Sequence, residues 1–242
     1  MAFSDVSLPR AQAQGMRVAV SDTVARLVAE VTAVVADPGI GEEEIVRCLD
    51  RGLLAVAGAA RLPDLAAETR LHLEPGQQDA AVPADWQHGP THAFLMPGRT
   101  PVRLFPGLAA LRLHTTGLPA HGRIRAAAPA GGRLHVWPVP DRPSALEVGY
   151  FRLPDPLAGA PDKPLCLPPH LVAPLLVNFA CRELFERLEA GVDDTKVQTA
   201  AYGRRFDAAL AELLLDCGPR QEEAVDVAGG PVGFRPFGEE WQ

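Results

Sequence analysis

RIRAAAPAGGRLHVWPVPDRPSALEVGYF, residues 123–151, is the stretch whose reading decides the fold. It holds three strand-length apolar segments, Arg123–Ala127, Leu134–Trp137 and Leu146–Phe151, separated by turn-forming residues. Ala130-Gly131-Gly132 reads as a hairpin turn between the first two. The same punctuation continues towards the N-terminus, through Val102–Phe105, His92–Met96 and Arg70–Leu73, with a second turn at Pro97-Gly98-Arg99-Thr100. From Leu62 to Phe151, therefore, the residues predict a small antiparallel sheet or barrel. Its prolines confine several strands to edges, because proline has no N–H to give a ladder.

Helices flank this region on both sides. Val24, Leu27, Val28, Val31, Val34 and Val35 recur at helical spacing over Ser21–Ala36, with Ser21 or Asp22 as the cap. Asp37-Pro38-Gly39 stops that helix. A second helix is predicted from Glu42 to Ala59. Its acidic triplet Glu42, Glu43 and Glu44 suits the positive end of a helix dipole, and Ile45, Leu49, Leu53 and Val56 form its stripe. A third is predicted over Leu171–Ala190, with Leu171, Leu175, Leu176, Phe179 and Leu184 inward and Pro174 in its first turn. Gly191 ends it, and Asp193 or Asp194 caps a last helix carrying Val197, Ala201, Phe206, Leu210, Leu213 and Leu214. The link between these two helices is short, so they pair antiparallel. The first helix completes the packing.

The fold class expected is α+β: an antiparallel helical bundle of N- and C-terminal helices, an inserted small antiparallel β-sheet or barrel, and an extended C-terminal arm. The boundaries are 1–61 for an N-terminal arm and two helices, 62–154 for the β-rich insertion, 155–217 for the C-terminal helical hairpin with the loop before it, and 218–242 for the arm. In that arm Phe234, Phe237 and Trp241 are the candidate interface residues, being large anchors in a segment too poor in apolar groups to fold alone.

Motifs of chemistry are sparse. The serines are Ser4, Ser7, Ser21 and Ser144, none in a GxSxG elbow. Gly229-Gly230-Pro231-Val232-Gly233 lacks the lysine of a phosphate loop. His88 and His92 are separated by Gly89 and Pro90, which spoil a helix that could aim both at one metal. Cys48, Cys166, Cys181 and Cys217 contain no CxxC and read as small hydrophobes. The reading assigns no catalytic residue, metal or cofactor. The net charge is −7, with no Lys/Arg run of the kind that grips a nucleic-acid backbone. No apolar run reaches the roughly 18 residues of a membrane helix. The first residues lack the apolar core of a secretory signal, so synthesis in the cytoplasm is expected. Bottom-up, this is a helix–sheet–helix protein. A small enzyme with a site assembled from distant residues, or a binding module outside any virion, remains the alternative at this stage.

The order of elements resembles the phage head–tail adaptor (connector) proteins. The residues that carry it are Gly41-Glu42-Glu43-Glu44-Ile45-Val46-Arg47-Cys48-Leu49-Asp50 and then Val82-Pro83-Ala84-Asp85-Trp86. The most specific is the hairpin Gly131-Gly132-Arg133-Leu134-His135-Val136-Trp137-Pro138-Val139-Pro140, with Leu146-Glu147-Val148-Gly149-Tyr150-Phe151 after it. Asp162-Lys163-Pro164, Leu167-Pro168 and Tyr202-Gly203-Arg204-Arg205-Phe206 complete the series, so the resemblance covers roughly residues 21–215. It implies a structural virion protein, made in the host cytoplasm. It further implies a homo-oligomeric ring, commonly of twelve copies, under the portal and bearing tail or nozzle proteins. Packaged DNA would pass through without sequence-specific binding, and no membrane is involved. With acids outnumbering bases 30 to 23, a neutral to acidic bore is expected.

Overall fold

The computed structural model describes residues 24–157, 166–190 and 196–217. In chain order the elements are α1 (Val24–Val35), α2 (Glu42–Ala59), β1 (Ala66–Leu73), β2 (Asp79–Ala81), β3 (Trp86–Met96), β4 (Thr100–Pro101), β5 (Arg103–Leu104), α3 (Leu108–Thr115), β6 (Ala126–Ala130), β7 (Arg133–Trp137), β8 (Ser144–Arg152), α4 (Pro169–Leu188) and α5 (Val197–Cys217). The class is α+β.

The four long helices share one apolar core. Leu27 and Val31 of α1, Leu49, Leu53 and Val56 of α2, Leu175, Leu176 and Phe179 of α4, and Phe206 and Leu213 of α5 are all buried in it. Helix α4 touches each of the other three. Its sequence explains that position, since Leu171, Val172, Leu175, Val177, Phe179, Ala180 and Cys181 leave it apolar nearly all round. Three details differ from the sequence reading. Pro174 stands inside α4, beyond the first turn, because the helix begins at Pro169. Val197 and Val34 are exposed, for each lies at a helix end, past the reach of the core. The proposed caps Ser21, Asp22, Asp193 and Asp194, and the helix stop Gly191, lie outside the described residues.

The β-rich middle is two four-stranded sheets, ordered β1-β8-β3-β4 and β2-β7-β6-β5. Their inner faces meet in a second core, with Leu71, Leu95, Leu146 and Val148 from the first sheet against Leu104, Ala127, Leu134 and Val136 from the second. The Gly131-Gly132 turn closes the β6–β7 hairpin at Ala130 and Arg133. Both glycines have φ near +60° to +70°, the geometry a two-residue primed turn needs. Pro101 lies on the edge strand β4. Pro129 lies within β6, at a position the short neighbour β5 does not reach.

One pairing is not antiparallel: β5 runs parallel to β6. The cause is α3, an element the sequence reading missed. A parallel neighbour requires a crossover, and α3 supplies it, laying Leu108 and Leu111 with Phe105 over Ala126, Ala128 and Trp137. Only Leu111 of this helix is buried, so no amphipathic period showed in the sequence.

Candidate functional site

Part of the sequence resemblance, Asp85-Trp86 and Tyr150-Phe151, lies at the start of β3 and in β8, the strands that approach the helices along a seam. Trp86, which opens β3, stacks on Tyr150 near the end of β8, with ring centroids 4.8 Å apart and planes 7° from parallel. The Tyr150 hydroxyl donates to Asp85 Oδ1 at 3.1 Å. Burial, then the hydrogen bond and charge of Asp85, raise the Tyr150 pKa above its ordinary value. The phenol therefore stays a donor at neutral pH. Asp85 also uses its backbone carbonyl, which accepts from the Leu153 N–H at 2.7 Å. Next in β8, Phe151 packs on the helical core, where Leu62, Leu65 and Leu157 also lie. The seam is tied further by His88 Nε2, 3.3 Å from the Ala57 carbonyl of α2. Asp50 of α2 accepts from the Leu157 N–H at 2.6 Å.

The second motif group lies inside the helical core. Phe206 of the Tyr202–Phe206 motif meets Phe179 edge-on at 5.3 Å. The Arg182 guanidinium sits 4.5 Å above the Phe179 ring and 5.4 Å from that of Phe206. Tyr202 stacks on Phe185. Arg51 of α2 pairs with Glu183 of α4 at 3.3 Å, and Glu44 pairs with Arg187. The acidic triplet thus serves the helix start and an inter-helix contact.

The first N–H groups of α5 are accepted from across the loop. Glu189, at the end of α4, takes the Gln198 N–H at 2.9 Å and the Thr199 N–H and hydroxyl at 3.2 and 2.7 Å. Desolvation pushes the Glu189 carboxyl up, but those hydrogen bonds and the Lys196 charge outweigh it, and its pKa falls below the ordinary carboxylate value.

The remaining candidates for chemistry are separated. His88 serves the seam, whereas His92 Nε2 lies 3.3 Å from Glu68 Oε1 across the face of the first sheet. Gly149 of β8 stands between them in register, paired with both. Among the described residues no group of three His, Cys, Asp or Glu side chains is placed to hold a metal. Cys48 and Cys181 are buried, while Cys166 and Cys217 are partly so. Burial pushes the Cys166 thiol up to about 11 and the Cys181 thiol up to about 12, which keeps both protonated. No helix of the described residues is long and apolar enough to cross a membrane. Phe234, Phe237 and Trp241 lie outside the described residues, as does Asp162-Lys163-Pro164.

Comparison with known proteins gives one family. The family model described as SU10 adaptor protein matches residues 22–233. The match begins two residues before α1 and runs past residue 215, where the sequence resemblance ends. It ends one residue short of Phe234. No curated protein matches the chain.

Proposed function

The chain belongs to the SU10 adaptor protein family, a family of structural phage proteins, and from that premise we propose that it forms a ring between the portal and the tail and extends the DNA channel. It is a virion component whose contacts are with other phage head and tail proteins. The finer reading is a dodecameric ring of this chain, docked on the portal, carrying tail or nozzle proteins and letting DNA through a neutral to acidic bore. The match over residues 22–233 carries the reading, since that span takes in all four long helices and both sheets. The seam supports it. An adaptor must transmit position between two partners, and Phe151 on the helical core, His88 against the Ala57 carbonyl and Asp50 against the Leu157 N–H tie the sandwich to the helices.

Within this reading we divide the chain at 61/62, 154/155 and 217/218. The helices of 1–61 and 155–217 form the bundle, 62–154 the platform, and 218–242 an arm. The arm docks Phe234, Phe237 and Trp241 onto a neighbouring copy, the portal or a tail protein. Ordering such a segment costs conformational entropy, which buried aromatic area must offset.

Mass photometry and negative-stain microscopy of the purified chain mixed with its cognate portal test the reading. Rings seated on the portal are the expected result; a chain that stays monomeric beside an unchanged portal overturns it. Deleting residues 219–242 leaves a folded subunit that seats poorly. Full occupancy by the truncated chain contradicts the arm.

A further inference from the structure

The cations that are scattered in the sequence are gathered by the fold. Residues 86–140 contain six arginines, five histidines and no aspartate or glutamate, in a chain of net charge −7. Residues 62–85 contain five acids, Asp64, Glu68, Glu74, Asp79 and Asp85, against the single Arg70. The two sheets run in the same lateral order, because β1 touches β2 on one side and β3 touches β5 and β6 towards the other. The sandwich therefore has two opposite sides. One is the β1/β2 side, with Asp64, Glu68 and Glu74 exposed. The other is the β4/β5 side, where Arg103, Arg123 and Arg125 are exposed, and next to it α3 lies over β6 and β7 with Arg112 exposed, reaching Arg103 through His114.

Arg103 and Arg123 have neutral partners among the described residues. Arg103 lies 3.2 Å from His114 Nε2 and over the Phe105 ring at 5.1 Å. Arg123 donates to the Thr100 hydroxyl. Among the described residues, no acid lies within ion-pair distance of Arg103, Arg112 or Arg123. Burial, then the Arg103 charge, lower the His114 pKa, so the imidazole beside Arg103 is the neutral partner. Between Arg112 and His114, Leu113 is 82% exposed. Arginine beside exposed leucine is the composition of a protein-binding surface, whereas a phosphate track gains nothing from the leucine.

We propose that the arginine side of one sandwich docks against the acidic β1/β2 side of the next copy. The contact is heterologous: one surface meets a different surface of an identical chain, and repeated with a closing rotation it makes a ring. Charge complementarity sets the order and excludes arginine-to-arginine pairing, since like charges brought together repel. Among the described residues β1 is an edge strand, paired with β8, and its outer edge lies on the acidic side. The proposal rests on the reading that copies sit side by side in a ring, and it adds which faces meet.

Charge reversal in the full chain tests it. One variant carries Arg103→Glu and Arg123→Glu, so that both sides are acidic. The other carries Glu68→Arg and Glu74→Arg, so that both are basic. Circular dichroism and thermal melting establish that each is folded. Arg112→Glu with Leu113→Glu, and Asp64→Arg with Glu74→Arg, replace them if either is not. In sedimentation velocity at low salt, each variant alone associates about tenfold more weakly than the wild type. An equimolar mixture of the two associates, and salt dissolves the complex. A mixture that shows no association overturns the proposal, as does either variant assembling like the wild type. Loss of binding to a short DNA duplex by the Arg103→Glu, Arg123→Glu variant, with no association in the mixture, assigns the patch to nucleic acid instead. Portal binding by the wild type is scored separately. If the wild type seats on the portal and the mixture stays apart, the adaptor reading survives and the edge pairing falls. If the mixture associates and nothing seats on the portal, the reverse holds.

Discussion

Gly149 shows how much a single residue decides here. It faces the His92 ring so closely that any Cβ would fall within van der Waals contact of the ring atoms. That absence lets His92 lie across β8 and reach Glu68 on β1. Gly149→Ala is expected to push the imidazole off, separate it from Glu68 and cost about 1–3 kcal/mol by overpacking. A lower urea midpoint in chemical denaturation, with a shifted His92 ring signal in NMR, checks this. Nothing in the linear sequence announced the contact. His92 and Gly149 are brought into register only by the β3–β8 pairing. The reading that His88 and His92 cannot share a metal rested on the helix-breaking Gly89 and Pro90. In the fold the two rings take different partners, one at the seam and one on the sheet.

At the scale of elements, legibility followed apolar runs bounded by turn formers, which marked even the two-residue β5 within Val102–Phe105. The four long helices and six of the strands were readable, because periodicity and turn formers repeat enough times to be seen. Helix α3 and the two short strands β2 and β4 were not, and with α3 the parallel β5–β6 pair was missed as well. The start of α5 was anticipated from Asp193 or Asp194, but the acceptor of its first N–H groups within the described residues is Glu189 from the preceding helix. The folded carboxyl of Glu189 titrates below its unfolded value. Its stabilisation is therefore present above the ordinary carboxylate pKa and is lost as pH falls through the depressed folded one. Glu189→Ala is expected to lower Tm at pH 7, and the gap from the wild type to close in acid. A gap that stays constant from neutral to acid pH would refute the assignment. Phe179 holds the same helical layer from within, 7% exposed between Gly52, Arg182 and Phe206. Phe179→Ala should cost about 3–5 kcal/mol, read from urea denaturation.

Across the whole molecule, the described residues behind the resemblance are spread over α2, the β6–β7 hairpin, the β3–β8 pair and the α4–α5 layer. Their order along the chain was legible, and their meeting was not, for Asp85 and Tyr150 lie 65 residues apart. The sequence likewise holds no Lys/Arg run, since the arginines of the β4/β5 side alternate with apolar residues on separate elements and only the fold collects them. The proposed junction of portal and tail is open to a genetic test, in which the gene for this chain is removed from the phage and the particles are viewed by electron microscopy. Heads that bear a portal but no tail are expected, with tails free in the lysate and infectivity restored when the chain is supplied. Intact, tailed, infectious particles made without it would contradict the proposal.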